Sequence, residues 1–129
     1  MYHIIVGIDE DEEHAELCAD EVLKMPGDPS EKRVTLIHSF TDNPTGASAT
    51  QLTPVRAAGD LLDEAGVEYE VTESSGDPAD AIIDAADEAD ADLIIIGGRK
   101  RSPTGKALFG SVTQTVILNA GRPVMVTSV

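Results

Sequence analysis

Tryptophan is absent from this chain, and only two tyrosines and two phenylalanines occur among its 129 residues. Without aromatic faces on which bases could stack, it lacks the usual equipment for gripping single-stranded nucleic acid. Positive charge is scarce as well: nine Lys and Arg stand against 24 Asp and Glu, for a net charge of -15. So broad an excess of one sign argues against partnership with nucleic acid or with an anionic membrane. It also makes the compact chain repel itself, a cost that concentrated salt relieves by shortening the screening length to about 3–10 Å. A salty working solvent, and so a halophilic source, is the expectation.

Long apolar runs are missing too. No stretch approaches the roughly 18 residues that a membrane span needs, and the start, MYHIIVGID, has neither a basic segment nor a cleavage site of the secretory kind. A cytoplasmic protein is expected. Cys18 is the single cysteine, which excludes an internal disulfide, and its place on the apolar side of a helical pattern predicts burial.

What is present suffices for one domain over residues 1–129, with 41% hydrophobic residues to build a core. Apolar runs at Tyr2 to Asp9 and Val34 to Phe40 predict buried strands. Val67 to Thr72 alternates apolar with polar and predicts an edge strand; Leu93 to Ile96 predicts another buried strand, stopping at Gly97-Gly98. Pro123 to Val129 closes the chain as the fifth. Between them, helical spacing links Ala15, Cys18, Val22 and Met25, then Leu52, Val55, Ala58, Leu62 and Ala65, then Ala79, Ile82, Ile83 and Ala86, and finally Phe109, Val112, Val116 and Ala120. Asp77-Pro78 reads as an N-cap followed by proline in the first helical position. The acids from Asp77 to Asp92 fit the wet face of that helix, and His38, with no second ligand at metal spacing, reads as a packed core residue. Thr41 to Thr50 is small, polar and aperiodic, a loop that could close over a site or lie in water.

Strand alternating with helix in this way predicts an α/β fold: one open, five-stranded, mainly parallel sheet with helices on both faces. Such Rossmann-like sheets bind ligands beyond the carboxyl ends of their strands, where the strand order reverses. If the first and fourth strands are neighbours, Asp9, the end of the second strand and the segment after Gly97 meet in one crevice. That segment carries Arg99, Lys100, Arg101 and Lys106, four of the nine Lys and Arg, and no acid from Gly97 to Ser111. Gly110-Ser111 follows, where a helical turn would offer N–H groups and a hydroxyl to an anion. It is not a Walker A loop, because Lys100 and Ala107 stand where that motif needs glycine and Ser or Thr.

The assembled pieces resemble a universal stress protein of the UspA type. The first strand ends in Asp; the second contains LIHS; GDPADAII opens a helix; and Gly97 begins a frame that ends at Gly110-Ser111. Nucleotide-binding members carry Gly-x-x-Gly, nine residues, then Gly and Ser or Thr. The intervals agree here, with Lys100 at the second glycine. The resemblance implies a fold like that of adenine nucleotide alpha-hydrolases and a site for ATP or AMP, with or without Mg. It places Gly7, Ile8 and Asp9 beside the adenine or ribose, Ser39 along the base, Ile96 and Gly97 at base and sugar, Arg99 and Lys100 toward ribose and phosphates, and Gly110, Ser111 and Val112 on the phosphates. Combined with the charge, it suggests a halophilic archaeon as the source. A stress-response or signalling module is the function implied, with a non-nucleotide-binding member working through protein contacts as the alternative. No dedicated catalysis is expected, since no second substrate domain, nucleophile pair or metal cluster is legible, although slow ATP hydrolysis is compatible with such a site. The family's C-terminal strand pairs about a two-fold axis, so the resemblance also implies a homodimer.

Overall fold

The computed structural model describes residues 1–40, 48–101 and 107–128, with side chains for all of these except 99–101, 107–109 and 128. Six strands and four helices follow in the order β1 (Tyr2–Gly7), α1 (Glu12–Lys24), β2 (Lys32–Phe40), α2 (Thr53–Glu64), β3 (Glu68–Ser75), α3 (Pro78–Ala89), β4 (Leu93–Arg101), β5 (Ala107–Phe109), α4 (Ser111–Asn119) and β6 (Val124–Ser128). β3, β2, β1, β4 and β6 pair side by side and in parallel, which is the five-stranded sheet expected. The sixth strand, β5, is short and turns back antiparallel along the far end of β4.

The two apolar faces of that sheet explain the two cores. Ile4, Val6, Leu36 and Ile95 point to one side and pack with Cys18 and Val22 of α1 and with Val55 and Leu62 of α2. Ile5, Ile37, Ile94 and Ile96 point to the other, against Ile82 of α3 and Val116 of α4. Because consecutive strand residues face opposite ways, a continuous run such as Ile4-Ile5-Val6 is what a strand covered on both faces requires. Edge strand β3, by contrast, alternates exposed and half-buried residues from Glu68 to Thr72 and has no buried residue.

Local signals set the helix starts. Asp77 accepts the Ala79 N–H ahead of Pro78, and Asp11 accepts the N–H groups of Glu13 and His14, so α3 and α1 begin on capped turns. The acids of α3 are exposed. Arg122 ties the start of β6 to the end of α3, donating to the carbonyls of Ala86 at 2.6 Å and Ala91 at 3.0 Å.

Three expectations need correction. β4 does not stop at the glycine pair: the chain bulges between Ile96 and Arg99, with Gly98 at φ +124°, and then continues as a strand to Arg101. Glycine serves here to turn the backbone within a strand, since a side chain rarely tolerates that conformation. Phe109 belongs to β5 rather than to the last helix, which starts at Ser111. β1 ends at Gly7, two residues short of Asp9, which lies in the turn before α1. Of the loop predicted over 41–50, residues 41–47 lie outside those described.

Candidate functional site

The chain runs outward from β1 through β2 to β3, then crosses to the other side of β1 for β4 and β6, so the strand order reverses between β1 and β4. The register sets Gly7 level with Ile37 on one side and with Ile96 on the other, so β1 stops there while β2 runs on to Phe40 and β4 to Arg101, leaving a gap between them beyond Gly7. At this gap lies a cleft of ≈ 590 Å³, a volume ordinary for a small-molecule site.

Its walls differ in chemistry. Ile37, Ile82, Ala81 and Pro78 supply an apolar side; Asp9 and His14 stand at the end of β1; and Gly110, Ser111 and Val112, at the start of α4, supply the side beyond β4. No side chain among the described residues caps α4, whose N-cap is Gly110. Among the described residues, nothing lies within 4 Å of a Cβ placed on Gly110. The first-turn N–H groups of a helix and its dipole together favour an anion in front of it.

The turn between β1 and α1 is pinned on several sides. Ile8 N–H donates to the Ile37 carbonyl at 2.8 Å. His38 Nδ1 lies 2.8 Å from the Ile8 carbonyl oxygen and must donate to it, which fixes its tautomer and accounts for a buried histidine on a strand. Asp9 Oδ1 accepts the Asp11 N–H at 2.9 Å, and Asp9 Oδ2 lies 2.8 Å from Nδ1 of His14. His14 itself is almost buried, its side chain 11% exposed against 52% for Asp9.

Two glycines are shaped by their neighbours. A Cβ on Gly7 would come within 2.7 Å of Ile82 Cδ1, and one on Gly97 within 2.9 Å of His14 Cβ. The space that Gly97 leaves is thus taken by the His14 side chain. Thr113 Oγ1 reaches the Gly97 carbonyl at 3.4 Å and ties α4 to the bulge.

Of the residues singled out from sequence, Gly7, Ile8, Asp9, Ser39, Ile96, Gly97, Gly110, Ser111 and Val112 all border this one cleft. The Ser39 hydroxyl donates to the Gly76 carbonyl at 3.1 Å. Arg99 and Lys100 lie on β4 past the bulge, with their side chains, like that of Arg101 and all of Lys106, outside those described. Sequence reading missed His14 and Thr113 and gave His38 only its packing role. A signal for His14 existed: it precedes Cys18 by four residues, which puts it on the inward side of α1 at the helix end nearest Asp9. Among the described residues no group of three or more His, Cys, Asp or Glu could hold a metal ion, and no helix is long and apolar enough to cross a membrane.

A parallel sheet covered on both faces, with a cleft at its switch point and the start of a helix beside it, defines an α/β protein of the doubly wound class. The chain belongs to the universal stress protein family, which matches residues 1–128. It is 40% identical over 65 residues to a universal stress protein of Mycolicibacterium smegmatis, a match covering 50% of each protein. The chain spans about half the length of the curated relatives it matches, or somewhat less. Solved structures extend the likeness to the whole chain. A universal stress protein from Archaeoglobus fulgidus is 32% identical, with a TM-score of 0.74 and 98% of both chains covered. A universal stress protein in complex with cAMP is 23% identical at a TM-score of 0.74, covering 98% of this chain and 96% of that one. A family protein from Arabidopsis thaliana with AMP bound is 17% identical, also at 0.74, with 99% and 92% covered. At the last two identities the likeness speaks for the fold.

Proposed function

We propose that this universal stress protein binds an adenine nucleotide, ATP or AMP with or without Mg, and works as a cytoplasmic stress-response or signalling module. The observation that carries the reading is the order of chemistry across the cleft: an apolar wall at Ile37 and Ile82, a carboxylate at Asp9, and a helix start at Ser111. A nucleotide has the same order, with a flat base, a sugar diol and phosphate. Ile8, Ser39 and Ile96 would border the base, with Gly7 behind them; Asp9, beside Gly97, would accept from ribose hydroxyls; Gly110, Ser111 and Val112 would face phosphate oxygens. Arg99 and Lys100 would add charge on the phosphate side. That two fold relatives were solved with cAMP and with AMP agrees with this choice of ligand. Bound nucleotide would supply a charged, ribose-bearing surface that a partner could read.

The test is direct. Protein purified natively in concentrated potassium chloride should release an adenine nucleotide detectable by mass spectrometry, and the emptied protein should give saturable heat with ATP, ADP or AMP. Absence of both, from folded protein at millimolar nucleotide, would overturn the reading in favour of a family member that works through protein contacts alone.

The assembly we propose is a homodimer through β6. This strand is at the edge of the sheet, with β4 as its partner among the described residues, and its five residues carry no charge. On α4, which precedes it, Leu118 is 81% exposed and Ile117 44%. An uncharged edge strand near exposed aliphatic side chains favours a self-complementary contact.

A further inference from the structure

We infer that His14 is a positioning residue that holds Asp9 as a reader of the ligand's sugar hydroxyls, so that this site discriminates ribonucleotides from deoxy forms through a histidine–aspartate pair. The inference rests on the nucleotide reading above and deepens it by assigning the sugar specificity.

The geometry begins with hydrogen-bond capacity. A carboxylate can only accept, so at 2.8 Å from Asp9 Oδ2 the Nδ1 of His14 carries the proton and donates. Asp9 Oδ1 takes its own donor, the Asp11 N–H at 2.9 Å. Each oxygen thus has one internal partner and one lone-pair direction left over, on a side chain that is 52% exposed and borders the cleft. Two fixed, adjacent acceptors suit two adjacent hydroxyl donors. An unsupported aspartate on a turn would instead spread over its rotamers and lose that entropy on binding.

The support is itself rigid. His14 is the third residue of α1, its backbone N–H accepted by the cap Asp11 at 3.4 Å, and its side chain packs so close to Gly97 that a Cβ there would lie 2.9 Å from His14 Cβ and force one of them to shift. Its Nε2 lies 3.8 Å from Asp11 Oδ2, a second acidic neighbour that restrains the ring. The pair also sits where a sugar would: the end of β1 lies between β2, whose Ile37 helps form the apolar wall, and β4, beyond which α4 begins. His14 is therefore held by α1 and β4 and acts on the cleft through Asp9.

The experiment is calorimetric titration of wild type, His14→Ala and His14→Asn with AMP and with 2′,3′-dideoxyadenosine monophosphate. In wild type, AMP should bind more tightly than the dideoxy compound. His14→Ala should weaken AMP by about tenfold, the scale of one charge-assisted hydrogen bond, and leave the dideoxy compound within about twofold. Asparagine places an amide N–H close to the Nδ1 position, so His14→Asn should recover most of the loss and also guards against a folding defect in the alanine variant. Equal loss for both ligands, or no loss for AMP, would overturn the positioning role while leaving nucleotide binding standing. If wild type binds neither compound, the nucleotide reading fails and the inference falls with it.

Discussion

The ammonium group of Lys32 lies 2.6 Å from the carbonyl oxygen of Met25 and 3.2 Å from that of Val22. α1 ends there, where the last carbonyls lack the usual donor four residues on; that of Val22 also takes the Met25 N–H at 3.3 Å, while that of Met25 has the Lys32 ammonium. Lys32, on the first residue of β2 and only 5% exposed, folds back to satisfy them and sets a positive charge against the negative end of the helix dipole. Lys32→Met keeps much of the apolar stem but removes the donor. Stability should drop by about 1.5–3 kcal/mol, the range for a hydrogen bond to a charged group, read as a lower urea midpoint with an unchanged slope. A shift within error of zero would mean that water replaces the ammonium without cost.

Cys18 makes a second prediction, in alkaline solution. Burial pushes its thiol up to about 11 from an ordinary value of 9.0, partly offset by the contact with Thr127 Oγ1. The folded chain thus keeps a proton that the unfolded chain releases near pH 9. Below pH 9 both states hold it and the contribution to stability is constant; from 9 to 11 only the folded state does, so stability falls as pH rises, by roughly 2–3 kcal/mol in total. Unfolding midpoints should decline more steeply over that window in wild type than in Cys18→Ala, and the native thiol should resist iodoacetamide at pH 8. Parallel pH profiles for the two proteins would contradict the proton accounting.

How much of this was legible in the sequence depends on the interaction that decides each element. Runs such as Ile4-Ile5-Val6 and the pair Asp77-Pro78 act locally, through burial on both faces of a strand and through helix capping, and they could be read directly. The end of β4 could not. Glycine at 97 and 98 looks like a stop, yet the chain bulges and goes on because a short antiparallel partner, β5, is available to pair with Arg99 to Arg101. Phe109 kept helical spacing with Val112 and Val116 by coincidence of period, while its backbone was claimed by that partner. In the cleft, Asp9 and Gly110-Ser111 announced themselves by residue type at strand and helix ends. His14 left only the weak signal of its spacing from Cys18, since the contact that holds its side chain against Gly97 spans 83 positions and leaves no mark on local spacing.

Salt should govern stability. Acidic residues cover the outer faces of the helices, with Asp80, Asp84, Asp87 and Glu88 all exposed on α3 alone, and the whole chain carries -15. Self-repulsion at that density weakens the compact state until ions screen it within a few ångströms. The urea midpoint should rise steadily from low to molar potassium chloride, and sodium chloride should act similarly if screening alone is responsible. An unchanged midpoint across the range would contradict adaptation to a salty solvent.

The proposed dimer can be tested at a single backbone position. Ile94 N–H donates to the Pro123 carbonyl at 3.1 Å, so residue 123 directs its polar backbone atoms toward β4. Backbone N–H and C=O of one strand residue point the same way and the direction alternates along the strand, which turns 125 and 127 toward β4 and 124, 126 and 128 outward. Val126 is then the central outward N–H of the edge. Proline there removes that donor and places a ring where a second strand would lie, while the bonds to β4 are spared, as befits proline on an edge. Light scattering in concentrated potassium chloride should report twice the chain mass for wild type and the single mass for a folded Val126→Pro. Leu118→Glu, on the exposed face of α4, should weaken the dimer as well, because burying an unpaired carboxylate opposes association. A monomeric wild type at all micromolar concentrations would refute the dimer, and a Val126→Pro protein that remains dimeric would move the contact away from β6.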